Sequence, residues 1–260
     1  MRESRVLKKI RSKGVALATS VGFTNSSKVT ELVGLLGFDC IWIDMEHRPL
    51  DYEQVFQMVQ GGRSADTDCI VRVRKESYAS YFRAFEDGAA GIMVPHCTSV
   101  EEVMGIVRNA KYPPHGHRGV DGVGADADYG LAEHNEYMAH ADRETFIAVQ
   151  VEDKETLDII DDIAAVEGID ILFIGPGDLS MSLGVSGNTS HPLMKEAIER
   201  VAEAARKNKI AWGIPAATVK DAEKYIAMGA QFITVGSDRG VLAKGFKELF
   251  NSFSGITSRS

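Results

Sequence analysis

The sequence has few cysteines, no long apolar run and almost no clustered basic charge. Its three cysteines, Cys40, Cys69 and Cys97, are an odd number set in or beside apolar strand-like stretches, where thiols pack as small apolar groups rather than founding a disulfide framework. That usage fits a reducing, cytoplasmic setting. Nowhere do about 18 apolar residues run together to cross a bilayer, and the charged N-terminus lacks the apolar centre of a signal peptide. Neither membrane insertion nor export is expected. Apart from the short "RVLKKIRSK" near the N-terminus there is no Lys/Arg-rich run, and 29 basic against 37 acidic residues leave a net charge of −8, which argues against nucleic acid as a partner. Linkers of Pro, Ser or repeated charge are also missing. Residues 1–260 are therefore expected to form one domain.

What is present is an alternation of short apolar runs with longer segments of helical period. The predicted strands are Val15–Ser20, Phe38–Asp44, Asp68–Arg74, Gly91–Pro95, Thr145–Glu152, Asp170–Gly175, Ile210–Ala216 and Phe232–Ser237. Helices are predicted after Thr98 or Ser99, from Pro192, and over "TVKDAEKYIAMG", which closes on Gly229. A doubly wound sheet would share this alternation, but eight strand–helix units fit an α/β fold of the single (β/α)8 barrel type. One segment breaks the rhythm. Lys111 to Arg143 is long and Gly-rich for a connection, and is expected to form a lid or rim over one end of the barrel.

Chemistry in such barrels sits at the carboxyl ends of the strands. Alternation puts Ala148, Gln150 and Glu152 inside, and the next strand delivers Asp178 from "GPGDLS". Adjacent strands lie about 5 Å apart, so the two carboxylates can share one hard divalent cation such as Mg²⁺ or Mn²⁺. Taken singly, each reads better as a helix start. Strand three turns Arg72 inward, which is costly unless it meets an anion: a substrate carboxylate or a developing enolate, or else a barrel carboxylate such as Asp44 or Glu46. Arg74 is expected at the rim. "FDCIWIDMEHRPL" sends Trp42, Asp44 and Glu46 to one face and leaves His47 in the turn that follows. A histidine beside a carboxylate at a strand end is a candidate general base. Lys75, Lys111 and Lys154 all stand in polar, loop-like contexts, so a Schiff-base lysine is not favoured. "GSDRG" after strand eight fits either a phosphate site or a plain helix start.

"FDCIWIDMEH", "IVRVR", "KYPPHGHRG", "VQVED" and "EGIDILFIGPGDLSMSLG" resemble, in order and spacing, the HpcH/HpaI aldolase family over nearly the whole chain. The resemblance implies a class II, metal-dependent aldolase using pyruvate as donor and an aldehyde as acceptor. It also implies a hexamer, a trimer of dimers, with a C-terminal helix exchanged between subunits. Carried over by position, Glu152 and Asp178 would hold the metal (Mg²⁺, Mn²⁺ or Co²⁺), Arg72 the pyruvate, and Asp44 with His47 the base function. Gln150, Gly177 and Asp178 complete the expected substrate contacts. Glu46 matches a residue touching metal-bound water, and Glu86 stands where the family carries an aspartate. A decarboxylase or synthase fed by an oxaloacetate-derived pyruvate enolate would use the same site.

Overall fold

The structure is a computed structural model describing residues 1–257. Eight parallel strands close into a barrel in sequence order: β1 (Ala16–Ser20), β2 (Cys40–Asp44), β3 (Asp68–Arg72), β4 (Gly91–Val94), β5 (Phe146–Val151), β6 (Ile171–Ile174), β7 (Ala211–Ala216) and β8 (Phe232–Ser237). Helices alternate with the strands, as their spacing predicts. The helix Val100–Ala110 starts on Ser99, whose side chain accepts from the Glu102 N–H, and Pro192 opens the helix Pro192–Asn208.

Strand alternation divides the core into two layers. Ala18, Cys40, Ile70, Ala148, Phe173 and Phe232 fill the barrel, while Ile41, Ile43, Val71, Val149 and Leu172 pack between strands and helices. The N-terminal helix Arg5–Arg11 plugs the amino end of the barrel with Val6 and Leu7. It is pinned by the buried Asp68, which accepts from Ser4 Oγ at 2.6 Å and from the Val6 N–H at 2.9 Å. The amino end is thereby closed, and in such barrels the chemistry sits at the other, carboxyl end.

The segment from Lys111 corrects one expectation. It leaves the C-terminus of a helix and returns, through the helix His134–Glu144, to the start of β5, so both its ends lie at the amino end of the barrel. Its anchors are on the flank. Arg118, buried over the Tyr112 ring, bonds Asp126 at 3.0 Å, and Arg63 donates to the Ala125 carbonyl at 3.0 Å. Among the described residues no hydrogen bond or ion pair joins this segment to Asp44, Arg72, Glu152 or Asp178. Toward the carboxyl side it reaches Tyr78, in the stretch after β3, whose hydroxyl accepts the Gly119 N–H, so it runs up the flank to the rim rather than across the barrel end. Lys111 is a second correction. It is buried, and its ammonium donates to the Asp142 and Thr145 carbonyls; burial lowers its pKa. This is the environment a Schiff-base lysine needs, at the wrong end of the barrel.

On the same flank Asp87 follows the helix Arg83–Glu86, is 3% exposed, and leaves Oδ2 without a partner. Burial pushes its carboxyl up to about 6 against the pull of Arg83, with Glu86 and Asp126 adding to the rise. An acid raised in the fold stabilises it fully only below its unfolded value of about 3.9, and that contribution is lost as pH rises through about 6. Ionised Asp87 is thus a cost at neutral pH. Asp87→Asn is expected to raise Tm by a few degrees at about pH 7.5 and to lose that advantage by about pH 4. Calorimetry at the two pH values checks it, and a lower Tm at pH 7.5 would show that the Arg83 pairing outweighs burial.

Candidate active site

The carboxyl ends of β2 to β5 gather one connected set of charged groups, with Asp178 standing free after β6. Asp44 and Arg72 are register partners on β2 and β3, so the guanidinium meets the carboxylate side-on: Nε donates to Oδ1 at 2.9 Å and Nη2 to Oδ2 at 2.8 Å. Both are buried. Burial works to raise the Asp44 carboxyl, but the Arg72 fork outweighs it and holds Asp44 below the usual carboxylate range. Arg72 Nη1 also lies 2.9 Å from Glu46 Oε2, an ion pair without hydrogen-bond alignment. Its guanidinium carbon stands 5.1 Å from the centre of the Trp42 ring, a stacking that fixes the fork's plane. Arg74, half-exposed at the rim as expected, donates to the Met45 and Leu50 carbonyls and so braces the turn that carries His47.

The expected Asp44–His47 side-chain pair does not form. Asp44 Oδ1 accepts the backbone N–H groups of Glu46 and His47 at 3.0 and 3.3 Å, and its remaining capacity goes to Arg72. Asp44 shapes the turn rather than gripping the imidazole. The His47 ring is 57% exposed, with Nε2 3.8 Å from Glu46 Oε2.

Glu152, immediately after β5, is fully buried. Its Oε1 accepts the His96 N–H at 3.0 Å and its Oε2 accepts from Gln150 Nε2. Burial pushes its carboxyl up, only partly offset by His96. Among the described residues no lysine or arginine lies within ion-pair distance of it. β6 presses against it from the other side: a Cβ on Gly175 would lie 2.6 Å from Glu152 Oε2 and 2.8 Å from Gln150 Nε2. A side chain there would push the Glu152 carboxylate or the Gln150 amide out of place. Three residues on, Asp178 sits in the first turn of the helix Pro176–Ser182, half-buried and free of any hydrogen-bond or ion-pair partner among the described residues. Beside it Gly177 is exposed, with nothing within 4 Å of where a side chain would begin. Gln150 Oε1 is buried and unpaired.

These donors fit a hard divalent cation. One buried carboxylate lacks a permanent counter-charge, a second carboxylate is unengaged on the neighbouring strand end, and all their donor atoms are oxygen. Among the described residues no three His, Cys, Asp or Glu side chains form a ready-made cage, so a cation held there would complete its shell with substrate and water oxygens.

His96 and Asp153 were not picked out from the sequence. His96 follows β4 and sits in the left-handed region at φ +50°; its Nδ1 is 3.0 Å from Asp153 Oδ2 and its Nε2 3.5 Å from Glu46 Oε1. Burial opposes its charge, yet Asp153, Glu152 and Glu46 together raise its pKa above the ordinary histidine value. The available signal was "VPHC", a polar side chain directly past a proline-ended strand. Glu86 stands apart in this chain: it ends the helix Arg83–Glu86, pairs with Arg83 at 3.3 Å, and touches none of the groups above. After β8, Asp238 Oδ2 accepts the N–H groups of Gly22, Phe23 and Thr24 at 2.9–3.2 Å. "GSDRG" thus ties the C-terminal helix to the β1 loop with its own carboxylate, which favours the plain helix start over a phosphate site.

Residues 22–245 match the family described as HpcH/HpaI aldolase/citrate lyase. The chain belongs to this family. As a member of the HpcH/HpaI family it is a carbon–carbon lyase. It is 34% identical, over 86% of its length and 87% of the relative's, to a 5-keto-4-deoxy-D-glucarate aldolase of Klebsiella pneumoniae subsp. pneumoniae. An HpcH/HpaI aldolase from Desulfitobacterium hafniense superposes with a TM-score of 0.87 at 29% identity, covering 94% of this chain and 96% of that one. Macrophomate synthase gives 0.83 at 26%, covering 98% and 90%.

Proposed function

We propose that this HpcH/HpaI protein is a class II aldolase that uses pyruvate as carbon nucleophile toward an aldehyde, or cleaves the resulting 4-hydroxy-2-oxo acid, at the carboxyl end of its barrel. The buried Glu152 carboxylate without a permanent counter-charge carries this reading, because such a group is stable as an anion only if a cation joins it. Glu152 and Asp178 would hold Mg²⁺, Mn²⁺ or Co²⁺, which supplies Lewis acidity to a bound 2-oxo acid.

The chain's own groups do the rest. Arg72, its Nε–Nη2 side taken up by Asp44 and its plane set by Trp42, keeps N–H groups on Nη1 and Nη2 for the keto oxygen on which negative charge develops as a methyl proton leaves. His47, exposed at the mouth and backed by Glu46, accepts that proton, and in cleavage returns it. Gln150 keeps one Glu152 oxygen in place and offers its unpaired carbonyl to a donor. The open space beside Gly177 leaves room for the substrate carboxylate. Likeness to macrophomate synthase favours one second reading, in which oxaloacetate enters and loses carbon dioxide to give the same nucleophile.

The C-terminal helix Asp238–Thr257 exposes Phe246, Leu249, Phe250, Phe253 and Ile256, a face too apolar to leave in water. We assign it to contacts between copies in a cytoplasmic homo-oligomer, a hexamer built as a trimer of dimers. Among the described residues no helix is long and apolar enough to cross a membrane.

Incubating the enzyme with Mn²⁺, pyruvate and a panel of aldehydes is expected to yield adducts of pyruvate plus one aldehyde by mass spectrometry, and none after chelation. Adducts formed only from oxaloacetate would favour the second reading. A panel without adducts from either donor would refute the aldolase assignment.

A further inference from the structure

We propose that His96 is a positioning residue: it fixes the Glu152 carboxylate with its backbone and, through its ring, ties the β5 end to Glu46 on the β2 end. The inference rests on the assignment of Glu152 as a cation ligand and goes beyond it, since His96 is held in a left-handed conformation by polar contacts on every side. A non-glycine residue at φ +50° persists only where its surroundings over-determine it. Here they do. The His96 N–H bonds Glu152 Oε1 at 3.0 Å, its carbonyl accepts Lys75 Nζ at 2.7 Å, and Lys75 is itself paired with Glu102. With the N–H held by Glu152, an extended φ would swing the His96 ring and carbonyl away from Asp153 and Lys75.

The ring adds a second constraint. Asp153 Oδ2, 3.0 Å from Nδ1, turns the imidazole so that Nε2 faces Glu46 Oε1 at 3.5 Å, while Nδ1 is also 3.6 Å from Glu152 Oε1. One side chain therefore spans the mouth between carboxylates on strands that are not neighbours in the barrel. With Gly175 closing in on the far side, Glu152 is held from both sides. Groups that orient a metal ligand in this way typically contribute 10- to 100-fold to metal affinity.

The test is Mn²⁺ binding to the full chain without substrate, followed by electron paramagnetic resonance, in wild type, His96→Asn, Asp153→Asn and Glu152→Gln. Asparagine tolerates the left-handed backbone and keeps the N–H but is too short to bridge Asp153 and Glu46. His96→Asn and Asp153→Asn are expected to weaken Mn²⁺ binding about 10-fold with Tm unchanged, and Glu152→Gln to abolish it. If the first two bind as wild type while Glu152→Gln does not, the positioning role given to the His96 side chain is overturned and the ligand assignment stands. A fall in affinity only in proportion to a fall in Tm would make His96 a folding residue and overturn the inference too. If Glu152→Gln binds as wild type, or wild type does not bind, the ligand assignment fails and takes the inference with it.

Discussion

Glu152→Gln is expected to leave the barrel folded and to remove both Mn²⁺ binding and all detectable proton abstraction from pyruvate. Glutamine keeps the side-chain volume and an oxygen for the His96 N–H at 3.0 Å, so neither the packing against Gly175 nor that hydrogen bond is lost. What disappears is the charge, together with the bond that Oε2 accepts from Gln150 Nε2, in whose place the unpaired Gln150 Oε1 can turn to accept from the new amide. Because burial already disfavours the ionised form of Glu152, the apo-protein should be no less stable than wild type at neutral pH. The loss of Mn²⁺ affinity should exceed the roughly 10- to 100-fold that disturbing an orienting partner costs. Titration with Mn²⁺ and a thermal melt decide it together. Retained affinity with an unchanged melt would move the cation site away from the β5 end.

Arg72→Lys is expected to lower turnover by roughly 10²- to 10³-fold, the scale of removing one preorganised donor from a developing oxyanion. Lysine preserves the charge but not the plane. At this position the guanidinium meets Asp44 through two parallel bonds of 2.8 and 2.9 Å, reaches Glu46 with its third nitrogen, and stacks on Trp42. An ammonium satisfies one or two of these and leaves the others unpaired. Circular dichroism should stay as in wild type, since a positive charge still faces Asp44. Near-normal turnover in Arg72→Lys would make the residue a structural partner of the two carboxylates and nothing more.

The contrast between Arg72 and His96 shows what the sequence can and cannot carry. Arg72 points inward because strand period is two and Val71 and Val73 belong to the outer layer; that much follows from the pattern of "IVRVR". Its pairing with Asp44 was one of two open alternatives, because deciding it requires the β2–β3 register, a property of two segments 28 residues apart. The same limit applies to Glu152. Alternation and the count of strands placed it beside the end of β6, but not the clearance that Gly175 provides. His96 lay beyond the reach of pattern reading. Its role depends on a left-handed backbone after Pro95, which no hydrophobic period encodes, although histidine is among the residues found there more often than most. The Lys111–Arg143 segment was visible as an irregularity, yet its docking on the flank is set by Arg118 over the Phe82 and Phe85 rings and by Arg63 on the Ala125 carbonyl, contacts between segments far apart in the chain. Lys111 misled for the opposite reason: a polar neighbourhood in sequence became a buried one when Asp142 and Thr145 folded back over it.

The central claim is that this barrel end removes a proton from pyruvate with a divalent cation at Glu152 and Asp178. Exchange of the pyruvate methyl protons into D₂O, followed by NMR without any aldehyde, measures that step alone. Wild-type protein is expected to exchange readily with Mg²⁺ or Mn²⁺ and to stop in chelator. His47→Ala should exchange about 10²- to 10⁴-fold more slowly while still binding the metal. Exchange that persists in chelator, or covalent trapping of pyruvate on a lysine by borohydride, would contradict the account.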